Sequence, residues 1–135
     1  MPNRSKVICL DVGEKRIGVA VGDRVIRIAS PLMTIEADGS ELNIINQIFV
    51  SQSADTIVVG YPRSQSGDIS DQTRYVERFA DNLKELTPNV VFQDESLTSV
   101  IAEQQLTSYK KPYTKADIDS QAAAIILQDY LDAIK

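Results

Sequence analysis

The stretch Lys6–Val12, an apolar and β-branched run with an acid near its end, constrains this chain more than any other seven residues. Val7, Ile8, Cys9 and Leu10 offer water no polar face, so the run reads as a strand covered on both sides in the middle of a sheet. Residues 16–21 repeat the pattern after a turn at Gly13, and the short gap suits an antiparallel hairpin. Residues 26–35 can continue it as a third strand. Pro31, which has no N–H for a ladder hydrogen bond, assigns that strand to an edge.

From Ser40 the apolar period lengthens to Leu42, Ile45, Ile48 and Phe49, a helical spacing that predicts a helix to about Ser53, with Asp38 and Ser40 available as caps. Residues 56–60 then read as a strand ending in Gly60, and the strand, helix, strand order favours a parallel crossover. Residues 62–70, rich in Ser, Gly, Gln and Asp, predict a surface loop. A second amphipathic helix is expected over 71–86, with Tyr75, Phe79, Leu83 and Leu86 on one stripe and Pro88 as its stop. Residues 90–93 make a fifth strand, 99–106 a short helix and 115–134 the last and longest helix. The fold class that results is α/β, a central mixed five-stranded sheet, antiparallel over its first three strands and then parallel, flanked by helices. A length of 135 residues suits one domain over 1–135.

Composition narrows the chemistry. With no histidine and one cysteine, Cys9, the chain cannot build a Ser-His or Cys-His triad, a His-ligated zinc site, an internal disulfide or a thiolate cluster. Cys9, within an apolar run, is expected to be a buried inert thiol. The longest apolar run, Ala122 to Leu127, is six residues and far too short for a membrane span, and the polar start Pro2-Asn3-Arg4-Ser5 does not resemble a secretory signal, so a cytoplasmic location without a membrane partner is expected. The net charge of -5 opposes non-specific grip on long duplex. The charge is uneven, however: residues 1–30 carry six bases against three acids, a local +3, so any nucleic-acid contact should draw on the N-terminal third.

Carboxylates remain as candidate chemistry. Asp11 closes an apolar run in a central strand, a position that costs desolvation free energy unless a cation or hydrogen-bond donors compensate it. It can cap the turn at Gly13, pair with Lys15 or Arg16, or ligate a metal. On the last helix, Thr114 and Asp117 fit a capping box, which leaves Asp119 without capping duty; steps of three and four place it above Ala122, Ala123, Ile126 and Tyr130, on the face that must pack on the sheet. It serves either the helix dipole or a metal. At the end of the fifth strand, alternation puts Val91, Gln93 and Glu95 on one side and Asp94 on the other, and spacing alone does not decide between the two acids; both can also be ordinary turn residues. An oxygen-only set at three such places suits Mg²⁺ or Mn²⁺, and two of these ions about 4 Å apart can support an in-line phosphodiester displacement without histidine.

Four segments in order carry a family resemblance: Leu10-Asp11-Val12-Gly13-Glu14-Lys15-Arg16-Ile17-Gly18-Val19-Ala20, Val59-Gly60-Tyr61-Pro62, Asp94-Glu95-Ser96-Leu97-Thr98-Ser99, and Asp119-Ser120-Gln121-Ala122-Ala123-Ala124-Ile125-Ile126-Leu127. Over almost its whole length the chain resembles the YqgF family of bacterial ribonuclease H-like proteins, named for Holliday junction resolution or for pre-16S ribosomal RNA processing. The resemblance implies a ribonuclease H-like domain, a metal-dependent nuclease acting on structured RNA or branched DNA, and Asp11, Glu95 and Asp119 as the acidic triad; it selects Glu95 over Asp94. The chain departs from the family at Ser96, where an arginine is usual, so a phosphate contact expected there is missing. It also departs in the thin basic loop of Lys110, Lys111 and Lys115.

Lys15, Arg16, Arg63, Lys110 and Lys111 are the candidate nucleic-acid contacts. Tyr109 and Tyr113 either stack unpaired bases or pack on the domain. The resemblance ranks 5'-end processing of pre-16S rRNA first, with junction resolution in DNA recombination, as a monomer or homodimer, next. Two other classes compete: a non-catalytic nucleic-acid-binding module, suggested by the pI near 4.7 and by Ser96, and an ATP-binding domain of the actin and sugar-kinase type, whose Asp-x-Gly turn also cradles phosphate but which pairs two such domains.

Overall fold

A computed structural model of the chain describes residues 5–62, 70–95 and 98–134. In chain order the elements are β1 (Lys6–Val12), β2 (Arg16–Asp23), β3 (Ala29–Glu36), α1 (Glu41–Ser51), β4 (Ala54–Pro62), α2 (Asp71–Leu83), β5 (Val90–Glu95), α3 (Thr98–Ser108) and α4 (Lys115–Ala133). The strands form one five-stranded sheet in the order β3-β2-β1-β4-β5. β1 pairs antiparallel with β2, and β2 with β3, whereas β1 runs parallel to β4 and β4 to β5. The sheet is mixed as expected, and β3, with Pro31, lies at its edge. The ladder steps from Val19↔Met33 to Ala20↔Pro31, so β3 carries its irregularity beside the proline.

Alternation along the strands decides which residues face which helices. Ile8, Leu10 and Val12 of β1, Ile17 and Val19 of β2 and Ile57 and Val59 of β4 pack in one core with Ile45 and Ile48 of α1 and Val76, Phe79 and Leu83 of α2. Val7, Cys9, Ala20 and Val58 form the opposite core with Ala123, Ala124, Ile126, Leu127 and Leu131 of α4. Two layers of helix thus sandwich the sheet. Cys9 is fully buried, and burial first, then the charges of Asp11 and Glu95, push its thiol up, so it stays protonated and inert.

Several boundaries differ from the sequence expectation for local reasons. The third strand begins at Ala29, not at 26, because Asp23 Oδ1 accepts hydrogen bonds from the backbone N–H of Val25 (2.7 Å) and Ile26 (3.3 Å), and Arg27 has φ 64°; an Asx turn occupies those residues. α1 stops at Ser51, where the left-handed Ser53 (φ 53°) reverses the chain. α2 ends at Leu83, and residues 84–86 continue only as i→i+3 bonds such as Leu86 N–H to Leu83 C=O. β5 extends to Glu95, so Asp94 and Glu95 belong to the ladder, opposite Tyr61 and Pro62. Residues 63–69 of the expected loop, Arg63 among them, and Ser96 lie outside the described residues. Among the described residues no helix is long and apolar enough to cross a membrane.

Candidate active site

Strand parity brings the acids to one face. Asp11 follows Val7 and Cys9 in alternation and therefore faces α4, as do Arg16 and Gly18 of β2, which share the parity of Ala20. Gly60 of β4 shares the parity of Val58, and its ladder partner Gln93 puts Glu95 on the same side. Asp94 faces the opposite layer, where Phe92 packs edge-on against Tyr61 with ring centroids 5.0 Å apart. Between the two acids the structure therefore selects Glu95 for the α4 face.

Two glycines make the convergence possible. Gly18 stands across the ladder from Asp11, and a Cβ built on it would collide with the backbone carbonyl of Asp119, so the first turns of α4 rest directly on bare strand backbone. At Gly60 a Cβ would lie 2.8 Å from Ile126 Cδ1 and 3.0 Å from Glu95 Oε2; the missing side chain is the space that the Glu95 carboxylate uses. Thr114 fixes the start of α4 through a complete capping box, its Oγ1 accepting from Asp117 N–H at 3.3 Å and its N–H donating to Asp117 Oδ2 at 2.9 Å. Asp119 is left to face the sheet above the fully buried Ala122, Ala123 and Ile126.

The electrostatics follow from this packing. Burial, then the charges of Glu95 and Asp119, then a hydrogen bond with Glu95 push the Asp11 carboxyl well above the usual carboxylate range. Asp119 has a cation of its own: Arg16 Nε donates to Asp119 Oδ2 at 2.7 Å, and that carboxylate in turn raises the guanidinium's affinity for its proton. The sequence allowed Arg16 to pair with Asp11. In the structure Arg16 belongs to Asp119, and Asp11 belongs to Glu95.

These pairings bear on metal binding. Among the described residues no three His, Cys, Asp or Glu side chains are grouped so as to close on one ion. Asp119 is turned toward the Arg16 guanidinium, while Asp11 and Glu95 lie close enough to raise the Asp11 carboxyl's affinity for its proton. The donor set is carboxylate oxygen only, which fits Mg²⁺ or Mn²⁺ and excludes thiolate- or imidazole-seeking metals.

Beside the acids lies a surface cavity of about 410 Å³ lined by Gly13, Glu14, Lys15, Arg16, Gln72 and Asp119. Gln72, at the start of α2, is held there by its Nε2 donating to the Val12 carbonyl at 2.9 Å, and sequence reasoning missed it because a glutamine in a helix's first turn carries no signal of its own. Lys15 and Arg16, both candidate phosphate contacts, line this cavity; Lys110 and Lys111 are exposed in the α3–α4 connection and do not line it. Tyr109 is exposed, and the Tyr113 hydroxyl lies 3.1 Å from Thr107 Oγ1. Asp11 and Glu95 stand at the carboxyl ends of β1 and β5, on either side of β4, and Asp119 faces the sheet from the start of α4; the carboxyl ends of strands are the usual place for ligands in open α/β sheets.

Comparisons with known proteins agree with this architecture. A "Putative pre-16S rRNA nuclease" of Chloroflexus aurantiacus is 46% identical over 97% of this chain and 89% of its own length, and one of Sulfurihydrogenibium sp. is 40% identical over 96% and 92%. Among solved structures, T. thermophilus RuvC in complex with Holliday junction substrate superimposes with a TM-score of 0.57 at 13% identity, covering 96% of this chain and 98% of that one. The fowlpox virus Holliday junction resolvase gives 0.56 at 11% identity, covering 96% and 99%. At those identities the likeness is one of fold, the ribonuclease H-like sheet shared with resolvases. Residues 5–133 match the family described as RuvX: Holliday junction resolvase, and the chain belongs to that family.

Proposed function

We propose that this chain is a hydrolase that cuts nucleic-acid phosphodiester bonds, with Asp11, Glu95 and Asp119 holding Mg²⁺ or Mn²⁺. The observation that carries the reading is geometric: Asp119 rests its main chain on Gly18, the ladder partner of Asp11, and Glu95 occupies the room at Gly60 on the same sheet face. The reading is supported by three acids, 84 and 24 residues apart in sequence, on one side of the sheet, of which Asp119 lines a cavity that Lys15 and Arg16 also line. Bound divalent cations would supply charge neutralisation of the phosphate and activation of water. The chain's own residues do the rest. Asp119 presents its carboxylate from the start of α4, Glu95 reaches over Gly60 toward Asp11, and Lys15 offers an ammonium to a backbone phosphate at the cavity rim. Arg16 has four further N–H donors on Nη1 and Nη2, which no hydrogen bond engages among the described residues.

The substrate we favour is the 5' end of pre-16S rRNA, supported by the names of relatives that are 40–46% identical over nearly the full chain. Resolution of branched DNA is the second reading, supported by the family description and the resolvase-like fold. Both would be carried out by one ribonuclease H-like domain over residues 1–135.

Purified protein with Mn²⁺ or Mg²⁺ should cleave a precursor RNA carrying the unprocessed 5' end faster than a four-way DNA junction, and chelation should stop it. Asp11→Asn should lose cleavage by at least about 10²-fold. Preference for the junction would move the assignment to the second reading. Full cleavage by Asp11→Asn would remove the triad, and no metal binding by the folded wild type would leave a non-catalytic binding module.

A further inference from the structure

We propose that Arg16 is a positioning residue for Asp119, and through it sets how tightly the carboxylate site holds a divalent cation. This rests on the reading of the three acids given above. Arg16 is the first residue of β2, on the α4 face, and its Nε reaches Asp119 Oδ2 at 2.7 Å across 103 residues of sequence. The contact is made by Nε alone. One carboxylate oxygen is thereby fixed, while Oδ1 carries no hydrogen bond among the described residues. Both side chains are largely covered, with 33% and 24% exposure, so the pair is better shielded than a surface ion pair.

Two opposite consequences follow from a guanidinium in this place, and their signs differ. As a charge, Arg16 repels an incoming cation, so removing it should tighten metal binding. As an orienter, it holds one oxygen of a ligating carboxylate and leaves the other presented to the site; loss of such a partner ordinarily weakens metal affinity roughly 10–100-fold. The geometry favours the second. Asp119 is anchored by its main chain on Gly18, and the only hydrogen bond to its side chain among the described residues comes from Arg16. Without that bond the carboxylate would swing freely, and each productive orientation would have to be selected during binding.

The test is calorimetric titration of Mn²⁺ into metal-free wild type, Arg16→Met, Asp119→Asn and Arg24→Met. Arg24→Met removes another largely covered arginine pair, with Asp55, at the far end of the sheet, and controls for loss of an arginine as such. The expected result is roughly 10–100-fold weaker Mn²⁺ binding by Arg16→Met and wild-type affinity for Arg24→Met. Equal or tighter binding by Arg16→Met, with Asp119→Asn still impaired, would overturn the positioning role and leave the acid site standing. Wild-type affinity in Asp119→Asn, or no binding by wild type, would overturn both. Should Arg16→Met fail to fold, Arg16→Lys carries the same test, since an ammonium keeps the charge and loses the planar fork; it should also bind more weakly, and wild-type affinity there would count against the role.

Discussion

The backbone carbonyl of Asp119 fills the space where a side chain on Gly18 would begin. Because Gly18 is also the ladder partner of Asp11, one bare position on β2 sets both how close α4 lies to the sheet and how close two of the acids come. The site is therefore a product of packing as much as of its charged residues.

Gly18→Ala should expose that dependence. A methyl group there meets helix backbone, which cannot rotate away as a side chain can, so α4 must lift from β2 at a cost of about 1–3 kcal/mol. The shift would move Asp119 away from Asp11, and stabilisation by Mn²⁺ should fall with it. Urea unfolding with and without Mn²⁺ measures both effects. An alanine variant of unchanged midpoint in both conditions would contradict the packing described for α4.

Much of this was legible in the chain before any coordinates. The order of the apolar runs implied the mixed sheet, and an acid closing the apolar run of a central strand already singled out Asp11. The capping box at Thr114 freed Asp119 of another role. Alternation left Asp94 and Glu95 equivalent, because a strand end does not reveal which of its faces is the covered one; the room at Gly60, which receives the Glu95 carboxylate, is a tertiary fact. The pairing of Arg16 with Asp119 was hidden for the same reason. Sequence proximity pointed to Asp11, five residues away, whereas the hairpin and α4 bring in a partner 103 residues distant. The start of β3 was misplaced because the Asx turn at Asp23 competes locally with strand extension through Val25 and Ile26.

Asp11→Asn should separate the stability of the site from its chemistry. Burial and the neighbouring acids raise the Asp11 pKa in the folded state, so the native protein binds that proton more tightly than the unfolded chain does. The contribution of Asp11 is then most favourable below the ordinary carboxylate range, near pH 4, and declines as pH rises toward the raised value. In metal-free buffer at neutral pH the asparagine variant should be more stable than wild type. Mn²⁺ at 100 times its dissociation constant should add about 2.7 kcal/mol to wild type and almost nothing to the variant. Thermal unfolding in four conditions decides it, and a destabilised metal-free variant would show that Asp11 is compensated without a cation.

The opposite sign is expected at Asp55, away from the site. Arg24 grips it with two bonds, Nη1 to Oδ1 at 2.8 Å and Nη2 to Oδ2 at 2.5 Å. The hydrogen bonds from Arg24, joined by one from Thr56, hold the Asp55 carboxyl below its usual value against the smaller effect of burial. That stabilisation is complete above about pH 4 and disappears as pH falls through the lowered pKa. Asp55→Asn should cost about 1–2 kcal/mol at pH 7, with the gap to wild type closing as the medium becomes strongly acidic. Urea midpoints for both proteins from pH 7 downward give the comparison; a gap independent of pH would mean that shape, and not charge, holds the pair.

Lys15 provides the clearest test of how substrate meets the site. It lines the cavity beside Asp119, is exposed, and lies in the basic N-terminal third of an otherwise acidic chain. If its ammonium neutralises one phosphate, Lys15→Gln should weaken binding of precursor RNA by a similar factor whatever the sequence. It should also lower the slope of log affinity against log salt by about 0.7–0.9, the release expected for one contact. Lys110→Gln serves as the comparison, because that residue is exposed in the α3–α4 connection and does not line the cavity. Measured between about 50 and 200 mM salt with the catalytic acids disabled by Asp11→Asn, the two variants should differ in slope. A slope lowered by Lys110→Gln and left untouched by Lys15→Gln would place the phosphate track along the start of α4, away from the cavity beneath Arg16.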